Sequence, residues 1–290
     1  MIFSDEAVRA GRLLSDQIIS HPGFEAVVSQ IESAVQIGNE VGIFSGVRIA
    51  APSGSGKTTL MRYVGRRLQE RYGFEGSTPV ISGSLKENPS VSQIQAELLS
   101  NFNYALSGIS RSVSNNDVNI VLLKAISQNR VRLIAIDEFQ HVFLAGGTKV
   151  ATVILDWVKR LMNLTNVPVV LVGTESMDRL EGVDAQLTTR IPIVARLSPL
   201  RLSGEWLAFL RGFVAHSPQI DLSPLCEEDI ARRFYLATAG SPRMAKSLLI
   251  HAVCLGITTN KTRVCAALLK EAYRLQKGAL PDEENPFAFL

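Results

Sequence analysis

Residues 51–59 read APSGSGKTT, and they lie between two segments of opposite character. Before them, VGIFSGVRIAAP (41–52) is a short β-rich run; after them, from Thr58 to about Arg71, apolar residues recur at helical spacing. A strand, a glycine-rich loop and a helix in immediate succession restrict the chain to a βαβ-type layout. The loop follows the phosphate-binding pattern G-x-x-x-x-G-K-[ST], with Ala51 at the first position and Gly56, Lys57 and Thr58 completing it. In such a loop, glycines let backbone N–H groups converge on phosphate oxygens, and the helix start adds free donors and the positive end of its dipole. Pro52, Ser53, Gly54, Ser55, Gly56, Lys57, Thr58 and Thr59 are therefore the candidate cradle. Lys57 is placed to reach the β- and γ-phosphates and the Thr58 hydroxyl to ligate Mg²⁺. The first position mainly has to be small where the strand turns, which Ala51 satisfies. The competing reading is a turn-rich loop ahead of an ordinary helix.

The rest of the chain repeats the alternation. TPVISGS (78–84), VRLIAIDEF (131–139), VPVVLVGT (167–174) and IPIVARLSPL (191–200) read as strands. Residues 5–40 read as helix interrupted at HPG, and 91–107, 117–128 and 152–163 as further helices. Continuous apolar runs suit strands buried on both faces, so the pattern predicts an α/β fold with a parallel sheet flanked by helices. Beyond about residue 203 only helical patterns remain. The expected organisation is an N-terminal helical segment (1–40), an α/β domain (41–202), a helical domain (203–277) and an extended tail (278–290). With 46 % apolar and 20 % charged residues in 290, the chain is not a disordered one. A net charge of +3 permits a nucleic-acid partner without requiring one. Three scattered cysteines without a C-x-x-C, an N-terminus lacking an apolar h-region and the shortness of the longest apolar run predict a cytoplasmic protein with no membrane partner.

A phosphate loop needs a metal ligand on a neighbouring strand, and LIAIDE (133–138) supplies it. Asp137 would hold Mg²⁺, directly or through water, and Glu138 would orient or deprotonate an attacking water. Gln140 and His141, which follow, would sense the γ-phosphate, relay to a partner or merely complete a loop. Three further positions fit an oligomeric ATPase. Thr174, at the end of a buried strand, is placed as a polar sensor of the γ-phosphate. Arg190, before the last strand, would stabilise transition-state charge at a neighbouring subunit's nucleotide, with Arg196 the competing candidate. Arg243, in the first turn of a C-terminal helix, would lean over the same phosphates. A capping threonine, a surface salt bridge and a solvated arginine are the plain alternatives.

APSGSGKT, LIAIDEFQH, LVGTES, TTRIPI and GSPR, in this order, resemble the motifs of AAA+ ATPases. The string IDEFQH and the compact size are most similar to the TniB/TnsC transposition regulators, related to the phage Mu target-selection ATPase; the resemblance spans roughly residues 15–255. It implies an AAA+ P-loop NTPase fold followed by a small helical lid domain, with ATP and Mg²⁺ bound. It further implies a homo-oligomeric ring or helical filament on double-stranded target DNA that recruits a transposase and a target-selection protein and disassembles on hydrolysis. HPGF (21–24) resembles the adenine-side entry of that family, which would bring His21 and Pro22 near the base. Thr174, where many AAA+ members carry Asn, is similar to this subfamily and implies slow hydrolysis. The alternatives are another DNA-associated AAA+ ATPase, such as a helicase loader or initiator-like protein, and a signalling or secretion ATPase that does not touch DNA.

Phosphate contacts on DNA need Lys or Arg on one face. The helix after the loop carries Arg62, Arg66, Arg67 and Arg71, with Arg62/Arg66 and Arg67/Arg71 at i,i+4. This is either a DNA face or a solvated one. Lys86, Tyr104, Arg111 and Asn115, in segments that would face the pore of a ring, form a second candidate. No base-reading motif is present, so sequence-tolerant backbone binding is expected. The end of the chain, PDEENPFAFL (281–290), is acidic then aromatic and reads as a docking peptide for a partner or a frayed terminus.

Overall fold

The computed structural model describes residues 2–102, 115–144, 147–217, 220–278 and 281–288. They form two compact bodies, one comprising residues 26–53 and 57–197 and the other residues 1–25, 54–56 and 198–290.

The first body is built on five parallel strands, β1 (Val47–Ala50), β2 (Val80–Ser84), β3 (Leu133–Asp137), β4 (Val169–Gly173) and β5 (Ile193–Arg196), in the spatial order β2-β3-β4-β1-β5. Central β1 and β4 are buried at every position, as their apolar runs require, whereas edge strand β2 alternates, one face exposed. Helices α3 (Lys57–Tyr72), α4 (Val91–Ser100), α5 (Asn115–Gln128), the single turn α6 (His141–Leu144) and α7 (Gly147–Thr165) supply the crossovers between parallel strands. Leu98, Leu122, Ile154, Val158, Ile134 and Leu171, from helices and sheet alike, share one apolar core. Local signals set the ends: Ser90 caps α4 by accepting the Gln93 N–H at 3.2 Å. The helix expected over 91–107 is shorter in the molecule, since α4 ends at Ser100, where the Asn101 side chain turns back onto the Glu97 and Leu98 carbonyls.

The other body is helical. It contains α1 (Asp5–Asp16), α10 (Gly204–Ala215), α11 (Glu228–Thr238), α12 (Pro242–Thr258) and α13 (Ala266–Lys277). Ser4 accepts the Ala7 N–H to cap α1, whose Asp5 and Glu6 sit favourably in the first turn. The stripe Ala7, Ala10, Gly11 and Leu14 packs against α12; Ala10 and Leu14 join the core of the C-terminal helices around Trp206, Phe209, Phe213 and Phe234. The tail also belongs to this core. Phe287 is 2 % exposed, its ring centroid 6.5 Å from Phe234 and 6.4 Å from Tyr273. Arg233 Nη1 donates to the Pro286 carbonyl, and Asn285 Nδ2 to that of Lys270. The tail expected to be extended, as a docking peptide or a frayed terminus, is over residues 281–288 a segment that packs Phe287 into its own body. Among the described residues, no helix is long and apolar enough to cross a membrane.

Candidate functional site

The phosphate loop leaves β1 at Ala51, which is fully buried; its N–H donates to the Gly173 carbonyl at the end of β4. The strand end has room for a small side chain and nothing larger is needed, so alanine serves at the usual glycine position. Gly54 has φ +80° and Gly56 φ +97°, backbone values an L side chain rarely adopts. Among the described residues, a Cβ on Gly56 would meet no atom within 4 Å, so the space beside this glycine is open. Lys57, the first residue of α3, donates from Nζ to the carbonyls of Ala51 (3.0 Å) and Pro52 (3.2 Å). Those bonds hold the ammonium over the loop. Within the helical body, the Gly54 carbonyl accepts from Ser241 Oγ at 3.1 Å and from the Arg243 N–H at 3.2 Å, at the start of α12, which Ser241 caps and Pro242 begins.

The acid follows at the end of β3. The Asp137 Oδ1 accepts the N–H of Glu138 at 2.8 Å. Burial pushes the Asp137 carboxyl up from its ordinary range; that N–H bond opposes the rise, the neighbouring Glu138 charge adds to it, and the Lys57 ammonium opposes it. A carboxylate this short of compensating charge is one that a cation would stabilise. Asp137 and Thr58 line one cavity of about 530 Å³, together with Arg62, Ser84 and Glu97. An open cradle, a lysine held over it, and a hydroxyl and an under-compensated carboxylate on one cavity fit a nucleoside triphosphate with a divalent cation.

One expectation needs correction. The acid is not on the strand next to the phosphate loop: β4 lies between β1 and β3. Its C-terminal end therefore falls between loop and acid, and it carries Thr174. The Thr174 Oγ1 lies 2.9 Å from Ser176 Oγ, and its N–H donates to Gln140 Oε1 at 3.2 Å. Glu138 adopts a left-handed backbone conformation (φ +55°), uncommon for a non-glycine residue and costly to hold. Its Oε2 accepts from Gln140 Nε2 and lies 4.0 Å from His141 Nε2.

The remaining candidates are distributed more widely. Arg190 closes the short helix α9 (Ala185–Arg190) and donates from Nε to Asn163 Oδ1 at 3.1 Å. Arg196, at the end of β5, makes a two-pronged bond to Asp178 at 3.1 and 2.9 Å. His21 is buried, packs edge-on against Phe209, and accepts the Phe24 N–H at Nδ1, capping α2 (Pro22–Val41) with Pro22 in the favoured first position. Burial holds the His21 pKa below its ordinary value against the raising effect of Glu205, 3.4 Å away, and of Glu25. Arg62 and Arg66 are exposed on α3, whereas Arg67 binds Glu32 through two bonds (2.5 and 3.0 Å) and Arg71 approaches Glu40 at 3.9 Å. The like-charge stack is therefore half relieved by acids on α2. Lys86 pairs with Glu97 at 3.6 Å. Tyr104 and Arg111 lie outside the described residues.

Arg48 was not singled out by sequence. It lies on central β1, is 2 % exposed and pairs with Glu181 on the short helix α8 (Leu180–Val183), while its Nε and Nη1 have no hydrogen-bond partner among the described residues. The signal was present: a lone arginine in the apolar run VRIA of a strand expected to be buried.

Strand order β2-β3-β4-β1-β5, a phosphate loop after β1, paired acids after β3 and a helical C-terminal body define an AAA+ P-loop NTPase fold. Within that class the chain belongs to the TniB family: the model described as "Bacterial TniB protein" matches residues 9–198. Its fold is similar to that of the Aeropyrum pernix ORC2 protein in ADPNP–ADP complexes (TM-score 0.67, 17 % identity, covering 98 % of this chain and 75 % of that one). It is similar also to Aeropyrum pernix ORC1 in complex with DNA (TM-score 0.68, 17 % identity, 92 % and 69 % covered). A third likeness is to the Thermotoga maritima RuvB Holliday junction branch migration motor (TM-score 0.52, 16 % identity, 87 % and 68 % covered). No curated protein matches in sequence.

Proposed function

We propose that this protein is an ATP-dependent regulator of DNA transposition. It oligomerises on double-stranded DNA without sequence preference, recruits a transposase and a target-selection protein, and disassembles when ATP is hydrolysed slowly. The observation that carries the reading is TniB-family membership over residues 9–198 in a chain whose phosphate loop and paired acids both retain their donor sets.

In this reading the backbone donors of residues 53–59 and the Lys57 ammonium hold the phosphates, and the Thr58 hydroxyl and Asp137 hold Mg²⁺. Bound Mg²⁺ supplies neutralisation of phosphate charge. Glu138 takes the proton of the attacking water, and Thr174 reads the γ-phosphate from the strand end between loop and acid. Arg243, whose helix starts beside Gly54, reads the same phosphates. Arg190 is the residue proposed to act on a neighbouring subunit's nucleotide, with Arg196 second because Asp178 engages both ends of its guanidinium. His21 and Pro22 bound the base side. Arg62 and Arg66, exposed and outside the Glu32 and Glu40 pairs, are the preferred described DNA contacts; Lys86 ranks below them because Glu97 partly neutralises it.

Electron microscopy of the protein with double-stranded DNA, with and without Mg·ATP, tests the reading. Nucleotide-dependent rings or filaments are expected, persistent in Glu138→Gln and absent in Lys57→Ala. Affinity for DNA should fall steeply with salt. Stimulation of the cognate transposase is expected; assembly without it would favour an initiator-like or loader role. No assembly on DNA would reject both.

A further inference from the structure

Gln140 is 5 % exposed, and both ends of its side-chain amide are engaged. Nε2 donates to Glu138 Oε2, and Oε1 accepts the N–H of Thr174. One side chain therefore ties the proposed base on the β3 end to the backbone of the proposed sensor on the β4 end. The surroundings are fitted to it. A Cβ on Gly173 would lie 2.7 Å from Met177 Sδ and 2.9 Å from Gln140 Oε1, so the glycine before the sensor leaves space that the thioether and the amide share. The Phe139 N–H donates to the Val172 carbonyl at 2.9 Å, pinning the segment between Glu138 and Gln140 to the same strand end. Glu138 itself stands in an unfavourable left-handed conformation, which its neighbours must hold in place.

The Glu138 side chain is 40 % exposed, and a carboxylate this open has several rotamers of similar energy, of which only some direct an oxygen toward a water. A donor fixed at one oxygen selects among them and leaves the other oxygen to accept the proton. We propose that Gln140 is a positioning residue that orients the Glu138 carboxylate and couples that orientation to the backbone of Thr174. A displacement of the β4 end when Thr174 engages its ligand is then transmitted to the base through a single amide. The inference rests on the reading of Glu138 as the base.

The test uses full-length Gln140→Met and Gln140→Glu beside Glu138→Gln, with steady-state ATP hydrolysis and direct nucleotide binding. Gln140→Met keeps the buried volume and removes both hydrogen bonds; Gln140→Glu keeps the acceptor for Thr174 and loses the donor to Glu138. Both should lower kcat by ~10- to 100-fold, a portion of what a positioned base contributes, with KM and nucleotide affinity unchanged. Glu138→Gln/Gln140→Met should be no slower than Glu138→Gln alone. Wild-type turnover in Gln140→Met, a loss that follows nucleotide affinity, or further slowing in the Glu138→Gln background would overturn the proposal. Full turnover in Glu138→Gln would overturn the underlying reading of Glu138 as well, so the two failures are distinguishable.

Discussion

Replacing Gly56 with alanine separates the conformational demand of the phosphate loop from its binding role. With φ at +97°, any L residue at position 56 is strained. A Cβ there would touch nothing within 4 Å, so no steric clash adds to the cost. The penalty is then the backbone term alone, about 1–3 kcal/mol. At ~2–4 °C per kcal/mol for a body of this size, the melting temperature without nucleotide should fall by ~2–12 °C. The new methyl group would occupy open space on a loop whose backbone N–H groups are the proposed phosphate donors. Wild-type protein with Mg·ATP at a hundred times its Kd gains about 2.7 kcal/mol from mass action, a rise of ~5–11 °C on the same scale. Gly56→Ala should forfeit most of that rise. Thermal melts with and without Mg·ATP, alongside calorimetric titration, read both quantities. A variant that melts lower yet keeps the full nucleotide-dependent rise would show that the open cradle is not where phosphate is held. A variant whose nucleotide-free melting is unchanged would refute the strain argument.

Three other outcomes follow from particular contacts. Phe287→Ala should destabilise the helical body by ~3–5 kcal/mol, as for other buried aromatics, while leaving the melting increment from Mg·ATP intact; a change near zero would mean that the tail does not stay docked in solution. Asp137→Asn removes a carboxylate whose charge is poorly compensated by its surroundings, so the nucleotide-free protein should melt no lower than wild type while the Mg·ATP increment disappears; lower melting would mean that Asp137 is a structural residue. His21 has a folded-state pKa below its ordinary value of 6.5 because burial outweighs Glu205 and Glu25. The folded state therefore resists protonation that the unfolded chain accepts. Stability should be full above 6.5 and fall as pH drops from there toward the lowered value. His21→Asn, which can still cap α2, should flatten that slope in pH-dependent melts.

Much of this protein was legible along the chain because the signals are local. APSGSGKTT is readable because strand, loop and helix are contiguous, and phosphate chemistry fixes which residue types must stand at which offsets. The strands β1, β3 and β4 were visible as apolar runs because parallel strands buried on both faces need no alternation. Helix starts such as Ser4, Ser90 and Ser241 are local hydrogen-bond chemistry and therefore written locally. Strand order has no such local signature: only the assembled sheet inserts β4 between the loop strand and the acid strand, and so puts Thr174 between them. The same holds for Gln140, whose bond to Thr174 joins residues 34 positions apart, for Arg48 reaching Glu181, and for Phe287 filling a place beside Phe234. Residue types at short fixed offsets establish which groups are available for phosphate, metal and proton chemistry. Which of them meet is settled in the folded body, because the energies that bring distant residues together depend on packing across the whole body and leave no periodic trace in the chain.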